Sequence, residues 1–219
     1  MKYNIAGKEI TKEKNLWQVA LLAKKITMSK LHITIILATA MLLGINSFIS
    51  GSKTYQLLLD IRIWSNFGFN FTITTLGFLI AGFTIFATLS KPDMMIAMML
   101  HKNAEANIPT LKYNFMAFMK VFISFIICAF IYLFVILFGQ ANGLIGNIVK
   151  TLPYSVVIKL YGAKLIYIII GTSLIYLVLA IKTFIYNVYA IVMTSIRWEY
   201  EVRQKEEIKK KIGGGIIAP

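Results

Sequence analysis

Few residues in this chain could do chemistry, and they are scattered. Of the nine acids, none lies centrally in an apolar run, and Asp60, Asp93 and Glu105 are expected in loops. His32 stands at the edge of the first apolar run and His101 follows 69 residues later, which leaves little for a metal centre. A single cysteine, Cys128, rules out an internal disulfide framework and a cysteine-rich zinc site. Flanked by Ile127 and Ala129, it reads as a small buried hydrophobe, because nothing nearby would favour its thiolate. The chain contains no HExxH, G-x-S-x-G, P-loop or GxGxxG pattern and no paired acids within an apolar run. Catalysis, a bound cofactor and a metal are therefore not expected. Proton-coupled transport is disfavoured too, since it ordinarily keeps an ionisable carboxylate or histidine at membrane depth.

The elements that must position any functional residues are set by composition. The chain has 219 residues, 58% hydrophobic and only 15% charged, with a mean hydropathy of +0.73, too apolar for a soluble fold of this size. Four continuously apolar runs, near 31–50, 67–90, 113–138 and 165–193, each approach or exceed the roughly 20 residues that cross a bilayer as a helix. Period-two alternation is missing, and lipid requires backbone amides to be satisfied within each segment, so the expected fold is all-α and polytopic. Sixteen basic residues fall in the amino-terminal arm, the middle loop and the carboxyl-terminal tail, against five in the other two loops. That bias predicts a membrane protein with both termini cytoplasmic. A cleaved signal peptide and a lipid anchor are not expected, because the first apolar run starts behind a lysine-rich arm and the only cysteine lies inside a span.

The organisation divides at residues 30 and 193: a basic arm over 1–30, a transmembrane domain over 31–193, and a helical tail over 194–219. In the arm, the stretch LWQVALLAKKITM (16–28) sets Trp17 and aliphatic residues beside Lys24 and Lys25, as in a helix lying in an anionic interface. Direct nucleic-acid binding is not expected, because arginine is scarce there and the lysines flank lipid. The middle loop opens with Ser90-Lys91-Pro92-Asp93, a pattern for an N-cap serine with an acid at N3. The short helix that should follow carries Met94, Met95, Met98 and Met99, an adaptable face that either packs at the interface or docks a partner.

The tail contains four acid-to-base pairs at i, i+4: Glu199 with Arg203, Glu201 with Lys205, Glu206 with Lys210 and Glu207 with Lys211. Joined to the fourth span it predicts one rod from Leu165 to Lys211, about 70 Å long, ended by Gly213 to Gly215. Its exposed Arg197, Trp198, Tyr200, Arg203 and Lys205 are candidates for docking a soluble partner; a merely solubilising helix is the alternative.

Within the second span, Asn70, Thr74, Gly77, Ala81, Thr84 and Thr88 recur at steps of four and three and so share one helix face. Phe67, Phe69, Phe71, Phe78, Phe83 and Phe86 mostly point elsewhere. Such a seam either packs helices closely or lines a wet pathway. Lys120 sits inside the third span, where it can snorkel. Lys182 lies at the inner headgroups if the fourth span starts at Leu165, and at mid-membrane if the membrane covers 174–196. On the outer side, 51–66 and 139–162 are expected to lie on the leaflet, with Trp64 and Tyr161 as anchors and a sensing role for Leu57 to Ile63.

The four-span layout, the basic arm, the charged tail helix and the stretch Gly77-Phe-Leu-Ile-Ala81-Gly82-Phe83-Thr84-Ile-Phe86 together resemble the membrane subunit of Kiwa anti-phage systems, KwaA. The resemblance implies an oligomeric inner-membrane protein that senses infection and works with a cytoplasmic DNA-binding partner, KwaB. It brings no catalytic motif. From the residues themselves the expectation is a non-enzymatic homo-oligomeric scaffold, four copies being one candidate number, with a channel or permease component as the alternative.

Overall fold

A computed structural model describes residues 12–49, 53–89, 91–103, 107–140 and 143–213. Among these the structure is helical throughout: α1 (Leu16–Ala23), α2 (Lys30–Ile49), α3 (Thr54–Leu89), α4 (Pro92–Leu100), α5 (Thr110–Phe138), α6 (Leu144–Thr151) and α7 (Ser155–Gly213). Helices α2, α3, α5 and α7 are long and apolar enough to cross a membrane. Their amide groups are satisfied within each helix, which is what permits so apolar a sequence to be folded in lipid. The all-α polytopic architecture is thus established.

The long α7 is the axis of the bundle, packing against α2, α3 and α5. Its fifty-nine residues span about 88 Å at 1.5 Å each. The rod therefore begins ten residues before the expected Leu165, and it runs without a break across residue 193. Gly213 is still within it; Gly214 and Gly215 lie outside the described residues.

The segment 51–66, expected to be an element separate from the second span, is from Thr54 onward continuous with it. Its residues from Thr54 are the first turns of α3, a single 36-residue helix, and this part buries Leu57 and Ile61 in the bundle. The reason is periodicity: Leu57, Ile61, Ser65, Gly68, Thr72, Leu79, Gly82 and Phe86 form one stripe, and its first members pack on the core as its last ones do. Asp60 is accordingly helical, as is Asp93 in the first turn of α4. The Trp64 ring packs against that of Tyr167, centroids 4.6 Å apart and tilted by 32°.

Two charged latches join the ends of the chain at one end of the bundle. The Lys112 ammonium, buried on α5, lies 2.8 Å from the Glu13 carboxylate of the arm. Lys91, before α4, pairs with Glu199 of α7. The arm and the post-span part of α7 therefore meet at the same end. At the other end the Arg62 Nε donates to the Gly139 carbonyl at 3.0 Å, and the Lys164 ammonium sits 4.4 Å above the Phe48 ring.

In α1, Asn15 is the N-cap, its side chain accepting from the Gln18 N–H. Trp17 is exposed while Ala23 is buried, and α1 packs on α5. In α4 the N-cap is Lys91, which makes no side-chain cap; Ser90 lies outside the described residues.

Candidate functional site

Helix α3 carries two stripes with the same four-three spacing, and the offset between them decides which packs. The stripe Gly68, Thr72, Leu79, Gly82 and Phe86 faces the bundle. Two residues further along, roughly 200° around a helix of 3.6 residues per turn, stand Asn70, Thr74, Gly77, Ala81, Thr84 and Thr88, and every one of these is exposed. The expected seam is therefore not used between the chain's own helices. A Cβ on Gly77 would meet nothing within 4 Å, whereas one on Gly82 would lie 2.9 Å from the Phe184 ring and one on Gly68 2.7 Å from Tyr132. Gly68, Gly82 and Gly171 are close-approach glycines between the long helices, with Leu43 and Trp64 against Gly171. Spacing alone could not separate the two stripes; the buried one was signalled only by the larger Leu79 and Phe86 interleaved with its small residues.

On the exposed stripe the hydroxyls of Thr84 and Thr88 donate to their own helix, at Ile80 and Thr84 carbonyls respectively. Asn70 differs. Its amide has no hydrogen-bond partner among the described residues, and it lies eight residues from Arg62, about 12 Å inward along the helix. Of the phenylalanines, Phe83 and Phe86 turn inward to a cluster with Phe115, Phe118, Phe122 and Phe184, while Phe67 and Phe78 are exposed.

The methionine face is partly taken up within the chain. Met94 is buried and Met95, Met98 and Met99 are half-buried; α4 packs on α5, where the Asn114 amide donates to Met98 Sδ at 3.7 Å. Met94 is thereby committed to packing within the chain, while Met95, Met98 and Met99 keep part of their surface.

The tail keeps more surface free. Arg197, Tyr200, Arg203 and Lys205 are exposed and Trp198 is half-buried. Of the four expected pairs, Glu199 with Arg203 is closed at 3.1 Å. Glu201 instead accepts from Arg197, at 2.8 Å, because the guanidinium one turn before it competes with Lys205 for the same carboxylate.

A fourth feature joins residues that lie far apart in the sequence. Lys120 and Lys182 line one cavity of about 310 Å³, together with residues 26–29 of the arm, His32, Ser124, Tyr176 and Asn187. The Lys120 ammonium does not simply snorkel, since it donates to the Ile26 carbonyl at 2.6 Å and so closes the end of the arm onto α5. Ser124 and Tyr176 bridge α5 and α7 through their hydroxyls at 2.6 Å. The cavity also places Lys182 level with the start of α2. Seventeen residues of helix separate it from Lys164, and eighteen separate Lys120 from Gly139, rises of about 27–29 Å. Both intervals match one hydrocarbon core, which supports the headgroup level for Lys182 over mid-membrane.

No group of three or more potential metal ligands occurs among the described residues. Cys128 is buried in the core. No family model, curated protein or solved structure matches this chain.

Proposed function

We propose that the chain is a non-enzymatic scaffold or sensor of the bacterial inner membrane, with both termini cytoplasmic, which assembles with copies of itself through the exposed stripe of α3. The observation that carries this reading is Asn70. A side-chain amide about 12 Å inside the span and without an internal partner is costly against lipid, and small neighbours such as Gly77 and Ala81 allow another backbone close enough to satisfy it. The exposed Arg197, Tyr200, Arg203 and Lys205 of the tail are the surface offered to a cytoplasmic protein. Anti-phage defence, with a DNA-binding partner such as KwaB at that tail, is the setting that the resemblance to Kiwa membrane subunits suggests.

The test is mass analysis in a gentle detergent. The intact chain should purify as several copies, and Asn70→Leu should drive it toward monomer while leaving its helicity and melting unchanged. A monomeric wild-type protein would overturn the reading. A channel formed by several copies is the second reading, favoured by the exposed polar groups of Asn70 and Thr74 on the same stripe. In that case Thr74→Val with Thr84→Val and Thr88→Val changes ion leakage through proteoliposomes and leaves copy number intact; in the scaffold case copy number falls.

A further inference from the structure

The cavity shared by Lys120 and Lys182 has the composition of a binding site whose counter-charge is missing. Two lysines, Lys120 and the exposed Lys182, line it without a single carboxylate beside them. Lys182 makes no hydrogen bond or ion pair among the described residues, and Lys120 has only the neutral Ile26 carbonyl. Cations gathered at the edge of an apolar slab are favoured only if an anion joins them, since their mutual repulsion is poorly screened there. Around them stand further groups able to hydrogen-bond an oxyanion: His32, Ser29, Tyr186 and Asn187. The remaining walls are aliphatic, from Ile26, Met28 and Val121 among others. Val178 and Ile185, exposed one turn to either side of Lys182, extend an apolar track along its face of α7.

We propose that this cavity binds the phosphate headgroup of an anionic bilayer lipid, with the phosphate on Lys120 and Lys182 and the acyl chains lying outside along Val178 and Ile185. About 310 Å³ is at the low end for ligand pockets, suited to a headgroup and too small for the chains. Basic recesses between helices at the cytoplasmic edge of a membrane are suited to such lipids. Because residues 26–29 form one wall, an occupied cavity also seals the arm against the bundle.

The site is independent of the assembly stripe, so its test uses different variants. Full-length protein in neutral detergent is titrated with phosphatidylglycerol, phosphatidylcholine or inorganic phosphate, and retained lipid is read by native mass analysis. Wild type should keep phosphatidylglycerol in preference to phosphatidylcholine. Lys182→Gln, which removes no bond of the fold, should weaken that retention about tenfold, the loss expected for one charge-assisted phosphate contact. Lys164→Gln, at the opposite end, should leave it unchanged. Retention equal in wild type and Lys182→Gln, or equal for the two lipids, would overturn the proposal. Displacement by millimolar inorganic phosphate would overturn the bilayer source and assign the cavity to a soluble phosphate.

Discussion

The edge of the Tyr132 ring lies 2.7 Å from the point where a Cβ on Gly68 would stand, so that α3 and α5 meet there as backbone against ring. The Tyr132 hydroxyl, in turn, is 2.7 Å from the Ser173 hydroxyl of α7. One tyrosine thus spans three helices at the centre of the bundle. A side chain at Gly68 would have to push the ring off this bond or the helices apart.

Substitution at the two kinds of glycine should therefore separate folding from assembly. Gly68→Ala and Gly82→Ala, which press on Tyr132 and Phe184, should each lower stability by about 1–3 kcal/mol, the usual cost of overpacking. Gly77→Ala should be neutral or stabilising by up to about 1 kcal/mol from helix propensity. Melting of the detergent-solubilised chain checks the first pair against the second. Equal losses at Gly77 and Gly82 would contradict the assignment of inward and outward stripes.

The arm should depend on Glu13. Glu13→Ala takes away the carboxylate that lies 2.8 Å from the buried Lys112 ammonium, so the arm should be held less tightly to α5. Limited proteolysis of the variant should cut the arm between residues 12 and 30 faster than in wild type, with the four long helices still protected. An unchanged cleavage rate would mean that the latch does not hold the arm.

The second latch should respond to pH. Hydrogen bonds from Lys91, and then from Arg203, hold the Glu199 carboxyl below its ordinary value. The folded value is the lowered one, so the latch contributes above the unfolded carboxylate pKa and is lost as pH falls through the folded value. Spin labels at the exposed Ile96 and Tyr200 should give a narrow distance distribution at neutral pH that broadens in acid, and in high salt as well because the pair is exposed. Glu199→Gln should show the broad distribution at neutral pH. A wild-type distribution that ignores acid would remove the latch.

A sensing role for the far end of α3 needs a sharper test than replacing the whole of Leu57 to Ile63. Leu57 and Ile61 are core residues, whereas Leu59 and Ile63 are exposed. Polar substitution of the first two should cost about 2–5 kcal/mol each, as for other large buried aliphatics. Leu59→Gln with Ile63→Gln should leave melting within about 0.5 kcal/mol of wild type. Loss of response in that second variant alone would support sensing, and an unaltered response would end it.

How much was legible in the sequence depends on whether a property belongs to the chain or to its neighbours. Four spans, their helical form and the placement of the arm and the tail helix at one end of the bundle follow from apolar run length, from the need to satisfy amides in lipid and from where the lysines fall. None of that requires knowing what touches what. The stripe of α3 that packs and the withdrawal of Met94 from the surface were decided only by tertiary structure. Two heptad-like stripes on one apolar helix look alike to any local rule, because lipid and protein interior are nearly equally apolar and burial leaves no hydrophobic contrast. The pairing of Lys120 with Lys182 was hidden for a related reason: they lie sixty-two residues apart in the chain, and only the packing of α5 on α7 sets both lysines around one cavity.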